Sequence, residues 1–210
     1  MADQSSTGAM SPDLSDFYFK DDFYSSLAAP STQAAINGTP GNDAIRPGND
    51  TIHGTAGADD LQGGFGNDVI YGHGGADVIH GGGGADSLYG GGGADHLFGG
   101  DNADHLEGGA GNDWLYGGMG ADYLKGGTGA DTFAFDVHDV PKAGAVDHIA
   151  DFRKGEHDGI DLHGFDNGTL EYHEQTGAFS YDFGDGHGAV DFLTVGAGKA
   201  LELNHDYFIT

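Results

Sequence analysis

Cysteine is absent from the 210 residues, which excludes disulfides and thiolate metal sites. Basic residues are scarce, with 7 Lys+Arg against 34 Asp+Glu and a formal net charge of -27. Such a balance repels nucleic acid and anionic membrane surfaces, and it attracts cations. No apolar stretch approaches membrane-spanning length, so no transmembrane segment is expected. The first thirty residues hold Asp13, Asp16, Asp21 and Asp22 but only Lys20 as a base, without the apolar core of a signal peptide. Classical N-terminal export is therefore not expected. Catalytic patterns are missing as well. His173 and Glu174 open an H-E pair, but Gln175, Thr176 and Gly177 follow, so a zincin's second histidine is not in place. There is no G-x-S-x-G, and cysteine nucleophiles are impossible. No catalytic residue is assigned.

What the chain has in excess is glycine, 42 residues of it. Residues 81–100 read GGGGADSLYGGGGADHLFGG, which by composition alone would be a flexible linker. A linker has no reason to keep a register, and this segment keeps three. Asp50, Asp59, Asp68, Asp77, Asp86, Asp95, Asp104, Asp113, Asp122 and Asp131 follow one another at intervals of nine. Two positions after each stands an apolar residue, from Ile52 to Phe133; two positions before each stands glycine, with Asn102 the exception. Lattices held in phase over ten units are an internal repeat, and the repeat decides the architecture.

The unit is G-G-x-G-x-D-x-U-x with U apolar, as in GGFGNDVIY (63–71) and GGAGNDWLY (108–116). It resembles the nonapeptide of the RTX, or hemolysin-type calcium-binding, family. That resemblance implies an all-β fold: a parallel β-roll in which two nonapeptides make one turn, each a glycine-rich loop followed by a short strand. Residue n would stack on residue n+18. Asp50, Asp68, Asp86, Asp104 and Asp122 would line one edge, and Asp59, Asp77, Asp95, Asp113 and Asp131 the other. The residues agree with this reading, because glycines supply positive-φ turns and the lone apolar side chain of x-U-x can point inward. An earlier fragment, TPGNDAI (39–45), is out of phase and is expected to form a ragged first turn.

Such a roll needs a counter-ion. Burying one Leu or Ile contributes roughly 1.5 to 3 kcal/mol, less than the cost of ordering nine residues at about 1 to 2 kcal/mol each. Stacked turns also bring like carboxylates about 5 Å apart, a repulsion of roughly 3 kcal/mol per pair at an effective dielectric of 20. Carboxylates and loop carbonyls are hard oxygen ligands, and in irregular loops they suit Ca²⁺ better than Mg²⁺. The resemblance implies that each ion is held by aspartates of two stacked turns and by carbonyls at the second and fourth repeat positions. Those positions are Gly57, Gly64, Gly66, Gly75, Gly82, Gly84, Gly91, Gly93, Gly100, Asn102, Gly109, Gly111, Gly118, Gly120, Gly127 and Gly129. Ions on the order of eight are expected. Thr55 and His73 replace second-position glycines, and those two loops are expected to be poorer. Histidines 53, 73, 80, 96 and 105 fall at outward or loop positions and read as solvent-facing filler.

Three regions follow: residues 1–38, an acidic and aromatic segment containing DFYFKDDFYSSL; 39–134, the calcium-binding roll; and 135–210, an antiparallel β cap. In the last, Asp147, Ile149, Asp151, Phe152, Gly155, Asp158, Ile160, Asp161 and Leu162 match a segment similar to the one that follows the repeats in serralysin-type domains, D-x-I-x-D-F-x-x-G-x-D-x-I-D-L, with one extra residue before Asp158. TLEYHEQTGAFSYDF (169–183) reads as a β-hairpin, AVDFLTV (189–195) as a strand and YFIT as a last one. The ending NHDYFIT resembles the uncleaved export signals of RTX proteins, which implies type I secretion and an extracellular, bacterial setting. A non-enzymatic secreted calcium-binding module is the first reading. Two others are a polysaccharide-binding accessory module like the repeat modules of alginate epimerases, and the export and folding part of an RTX enzyme. A protein partner outside the cell would also be consistent.

Overall fold

The computed structural model describes residues 35–37, 46–140, 145–165, 168–195 and 208–209. DFYFKDDFYSSL, TPGNDAI and most of the closing NHDYFIT lie outside the described residues. The strands in chain order are β1 (Ala35–Asn37), β2 (Arg46–Pro47), β3 (Thr51–His53), β4 (Asp60–Phe65), β5 (Val69–Gly74), β6 (Val78–Gly83), β7 (Ser87–Gly92), β8 (His96–Asp101) and β9 (His105–Ala110). They continue with β10 (Trp114–Met119), β11 (Tyr123–Thr128), β12 (Thr132–Asp136), β13 (Asp147–Ile149), β14 (Gly159–His163), β15 (Thr169–His173), β16 (Ala178–Asp182), β17 (Val190–Val195) and β18 (Phe208–Ile209). The fold is all-β. Odd strands β1 to β13 form one parallel sheet and even strands β2 to β14 the other, so the chain alternates between two facing sheets. About five turns result.

The register is the one the repeat implies. Leu61 pairs with Ile79 and Ile70 with Leu88, each eighteen residues apart. Every apolar repeat residue from Ile52 to Phe133 is fully buried, so the interior is two files of single Leu, Ile or Phe side chains. Strands are longer than the three-residue x-U-x motif. Most run six residues, through x-U-x-G-G-x, and only three residues remain for the turn. First-position glycines therefore sit on strands and face inward. A Cβ on Gly63 would meet the carboxylate of Asp68 and, at 2.7 Å, the carbonyl of Gly81. These glycines answer a lack of space and not a need for positive φ.

Parallel stacking runs on past residue 134. β13 adds to β11 and β14 to β12, both parallel, and β17 adds to β13 before the chain turns antiparallel through β16 and β15. The hairpin expected over 169–183 is β15 and β16, paired antiparallel, and AVDFLTV supplies β17. Here the core changes character. Phe133, Phe152, Phe179, Tyr181, Phe192 and Leu193 are buried together, an aromatic plug over the end of a slender interior. Among the described residues no helix is long and apolar enough to cross a membrane.

The outward faces carry stacked rings in place of scattered filler. His53, Tyr71 and Tyr89 stack with centroids 4.9 Å apart, His105 lies on Tyr123 at 4.8 Å, and His80 lies on Phe98 at 4.5 Å. The strand spacing sets this distance, so identical repeat positions put rings in contact.

Candidate metal centre

Three-residue turns between the sheets place the aspartates on two rims, all of them buried. The end carboxylates of the two stacks are tied to backbone in one pattern. From Asp68 on one rim and Asp77 on the other, each Oδ1 accepts the backbone N–H of the aspartate one turn earlier. On one rim Asp50 N–H donates to Asp68 at 2.7 Å, Asp68 to Asp86 at 2.7 Å, Asp86 to Asp104 at 2.8 Å and Asp104 to Asp122 at 2.9 Å. On the other, the series runs from Asp59 through Asp77, Asp95 and Asp113 to Asp131, at 2.8 to 3.0 Å.

The second oxygen is different. Oδ2 of Asp68, Asp77, Asp86, Asp95, Asp104, Asp113, Asp122 and Asp131 is buried with no hydrogen-bond partner. Eight orphaned acceptors in register are too many to be accidents in a native fold, where buried polar groups are nearly always paired. Each lies beside the first-position glycine of its own loop. There a Cβ would fill the space between the carboxylate and the glycine carbonyl of the next turn, as with Gly72, Asp77 and Gly90. The donor set is oxygen alone, and it fits a hard divalent cation. Among the described residues there is no group of three or more His, Cys, Asp and Glu side chains gathered around one point, so any such site must rely on backbone carbonyls.

Burial and like-charged neighbours shape the electrostatics. Burial first, then the charges of Asp122, Asp86 and Asp101, push the Asp104 carboxyl up to about 8. Burial with Asp95 and Asp131 raises Asp113 to about 7. Burial raises Asp77, Asp86, Asp122 and Asp131 to about 6, against the lowering effect of the N–H each accepts. Asp68 and Asp95 are also raised, again by burial. The rims are high in energy when fully ionised, and a bound cation or proton relieves them.

Glycine geometry follows the repeat closely. Second- and fourth-position glycines Gly64, Gly66, Gly75, Gly82, Gly84, Gly91, Gly93, Gly100, Gly109, Gly111, Gly118, Gly127 and Gly129 all have positive φ. Gly57 and Gly120 do not, so two of the expected turns are differently shaped. At Gly84 (φ 133°) a side chain would also collide with the carbonyl of Gly66 in the preceding turn. Asn102 keeps the left-handed shape at φ 78°, and His73 does so at φ 73°. Thr55 does not. Its N–H, at 2.6 Å, and its hydroxyl, at 3.0 Å, both donate to Oδ2 of Asp59, which leaves that loop closed on itself.

Two further carboxylates complete the rims. Asp147 accepts the N–H of Asp122 at 2.8 Å, and Asp158 accepts that of Asp131 at 3.1 Å. Burial and the charge of Asp122 push Asp147 up to about 8. The nine-residue register could not find them, because they stand 25 and 27 residues after their partners. Asn67 is a third omission: its Oδ1 accepts the N–H of Ala85 one turn on, at 3.0 Å, and Asn112 does the same for Ala130. The signal was the GND form of some repeats.

A family model of the RTX calcium-binding nonapeptide repeat, in four copies, matches residues 46–79, 71–105 and 98–133. A subunit from the Azotobacter vinelandii mannuronan C5-epimerase is 28% identical over 63% of this chain and 61% of its own, with a TM-score of 0.30. The extracellular lipase LipA from Serratia marcescens is 18% identical over 79% of this chain and 40% of its own, with a TM-score of 0.31. The chain thus spans less than two thirds of the length of either structure. Comparison with curated proteins gives no significant match. Residues 46–133, with their eighteen-residue stacking, buried apolar files and aspartate rims, are RTX calcium-binding nonapeptide repeats.

Proposed function

We propose that the chain is a secreted, non-catalytic calcium-binding module that folds when its rims capture Ca²⁺. The observation that carries this reading is the column of buried, unpartnered Oδ2 atoms on both rims. Bound calcium supplies the positive charge that lets stacked carboxylates stay ionised. The aspartates from Asp50 to Asp131 hold it, together with the carbonyls at the second and fourth repeat positions from Gly57 to Gly129. Asp147 extends one rim into the cap. The ten repeat aspartates leave four gaps on each rim, consistent with ions on the order of eight, and Asp147 and Asp158 add one further gap to each.

Resemblance to RTX proteins supports export by type I machinery and life outside the cell, where calcium is plentiful enough to complete folding. A polysaccharide-binding role, or service as the export and folding part of an enzyme, is the second reading. The net charge of -27 argues against an anionic polymer as ligand.

Asp104→Asn tests the site assignment. Its carboxylate faces a gap on either side and accepts the N–H of Asp86. Removing the charge should raise the calcium concentration for half-folding at least about tenfold, a change of roughly 1.4 kcal/mol. Unchanged calcium affinity by calorimetry would remove Asp104 from the site.

A further inference from the structure

The rim that ends at Asp158 meets a fixed positive charge. The segment after β13 passes under the last glycine loop, 126–131, and supplies side chains where earlier loops meet another turn of backbone. Asp151 accepts the N–H groups of Gly126 and Gly127, both at 3.0 Å. Glu156 accepts that of Gly129 at 3.2 Å, whereas the equivalent Gly111 N–H goes to the carbonyl of Thr128 in the next turn. Asp158 accepts the N–H of Asp131 and, at 2.6 Å, that of Arg153.

Three carboxylates thus bond one loop, and Oδ2 of Asp131, the last residue of that loop, is buried without a partner. Burial first, then the charges of Asp158, Asp151 and Glu156, act against ionisation of Asp131. At the exposed edge of this loop stands Arg153, one of only two arginines in the chain. Its Nη1 donates to the carbonyl of Gly127 at 2.6 Å and lies 3.4 Å from Glu156. Gly127 is a second-position glycine with φ 108°, whose carbonyl corresponds to those assigned to calcium elsewhere on the rims. A guanidinium stays charged at any pH the protein will meet, and it is weakly hydrated enough to sit against a carbonyl.

We propose that Arg153 is a tethered cation that takes the place of calcium at the carbonyl of Gly127, in the last glycine loop of this rim. The proposal rests on the calcium reading of the rims. It divides the two rims at the cap end of the roll: the rim of Asp131 has a cation on its last loop, while on the other rim Asp122 and Asp147 face Asp139, which accepts from the Tyr116 hydroxyl. Burial and the charge of Asp122 disfavour ionisation at Asp147.

The test counts ions by native mass spectrometry on the full chain saturated with calcium, comparing wild type, Arg153→Lys and Arg153→Gln. The lysine variant should bind the wild-type number. The glutamine variant should bind one ion more and reach wild-type β-content only at higher calcium. An unchanged count in Arg153→Gln overturns the proposal. So does failure of that variant to fold at saturating calcium, because an ion admitted to the vacated place should restore the loop. A wild-type chain that binds no calcium is a different result, which removes the reading of the rims and not the role of Arg153 alone.

Discussion

Protons should partly replace calcium. In the metal-free fold Asp77, Asp86, Asp122 and Asp131 sit near 6, Asp113 near 7, and Asp104 and Asp147 near 8, each raised chiefly by burial. In the unfolded chain the same carboxyls ionise near 3.9. The folded state therefore holds more protons, so stability is greatest below about pH 4 and is lost as pH rises through 6 to 8. Between pH 7 and pH 5, a carboxyl with a folded value near 6 takes up most of a proton and adds about 1.3 kcal/mol. Four such groups supply about 5 kcal/mol, the stability of a small domain. The assay is far-ultraviolet circular dichroism in chelator from pH 7.5 to pH 5, with urea midpoints wherever structure is present. Acidification should restore part of the β-signal that calcium restores at neutral pH. Calcium binding at pH 7 should release protons, measured by calorimetry in buffers of different ionisation enthalpy. A chelated chain that stays structureless at pH 5, or loses stability on the way there, refutes the argument.

Other substitutions separate the parts of the fold. Gly93→Ala places a side chain at φ 137° and against the carbonyl of Gly75, so it should cost at least about 3 kcal/mol, read as a lower thermal midpoint in calcium. Gly92→Ala is the control: its nearest neighbour is 3.9 Å away, and its midpoint should stay within about 2 °C of wild type. Leu97→Ala empties one fully buried rung and should cost about 2 to 5 kcal/mol by urea unfolding in calcium.

The repeat makes most of the roll legible in the sequence. One residue type at each of three repeat positions fixes which side chain is inside, which turns back and which lines the rim, so pairings such as Leu61 with Ile79 follow from counting. What counting missed has physical causes. First-position glycines such as Gly63 looked like turn residues, but space beside Asp68 explains them, and space is invisible in a string. The tie between Oδ1 of one aspartate and the N–H of another, as from Asp77 to Asp59, needs the third dimension. Asp147, Asp158 and Arg153 lie beyond the periodic region. There, spacing to the previous rung changes to 25 and 27 residues, so the segment that contains Asp147 and Asp158 is recognisable in the sequence but their places on the rims are not. Histidines read as filler proved to be members of ring stacks, because parallel strands bring equal positions within contact.

Calcium titration of the chelated full chain, followed by circular dichroism at pH 7.5, addresses the central claim most directly. The account predicts little regular structure in chelator, abundant β-structure in millimolar calcium, and poor substitution by magnesium. Equal β-content in chelator and in calcium at that pH would contradict it.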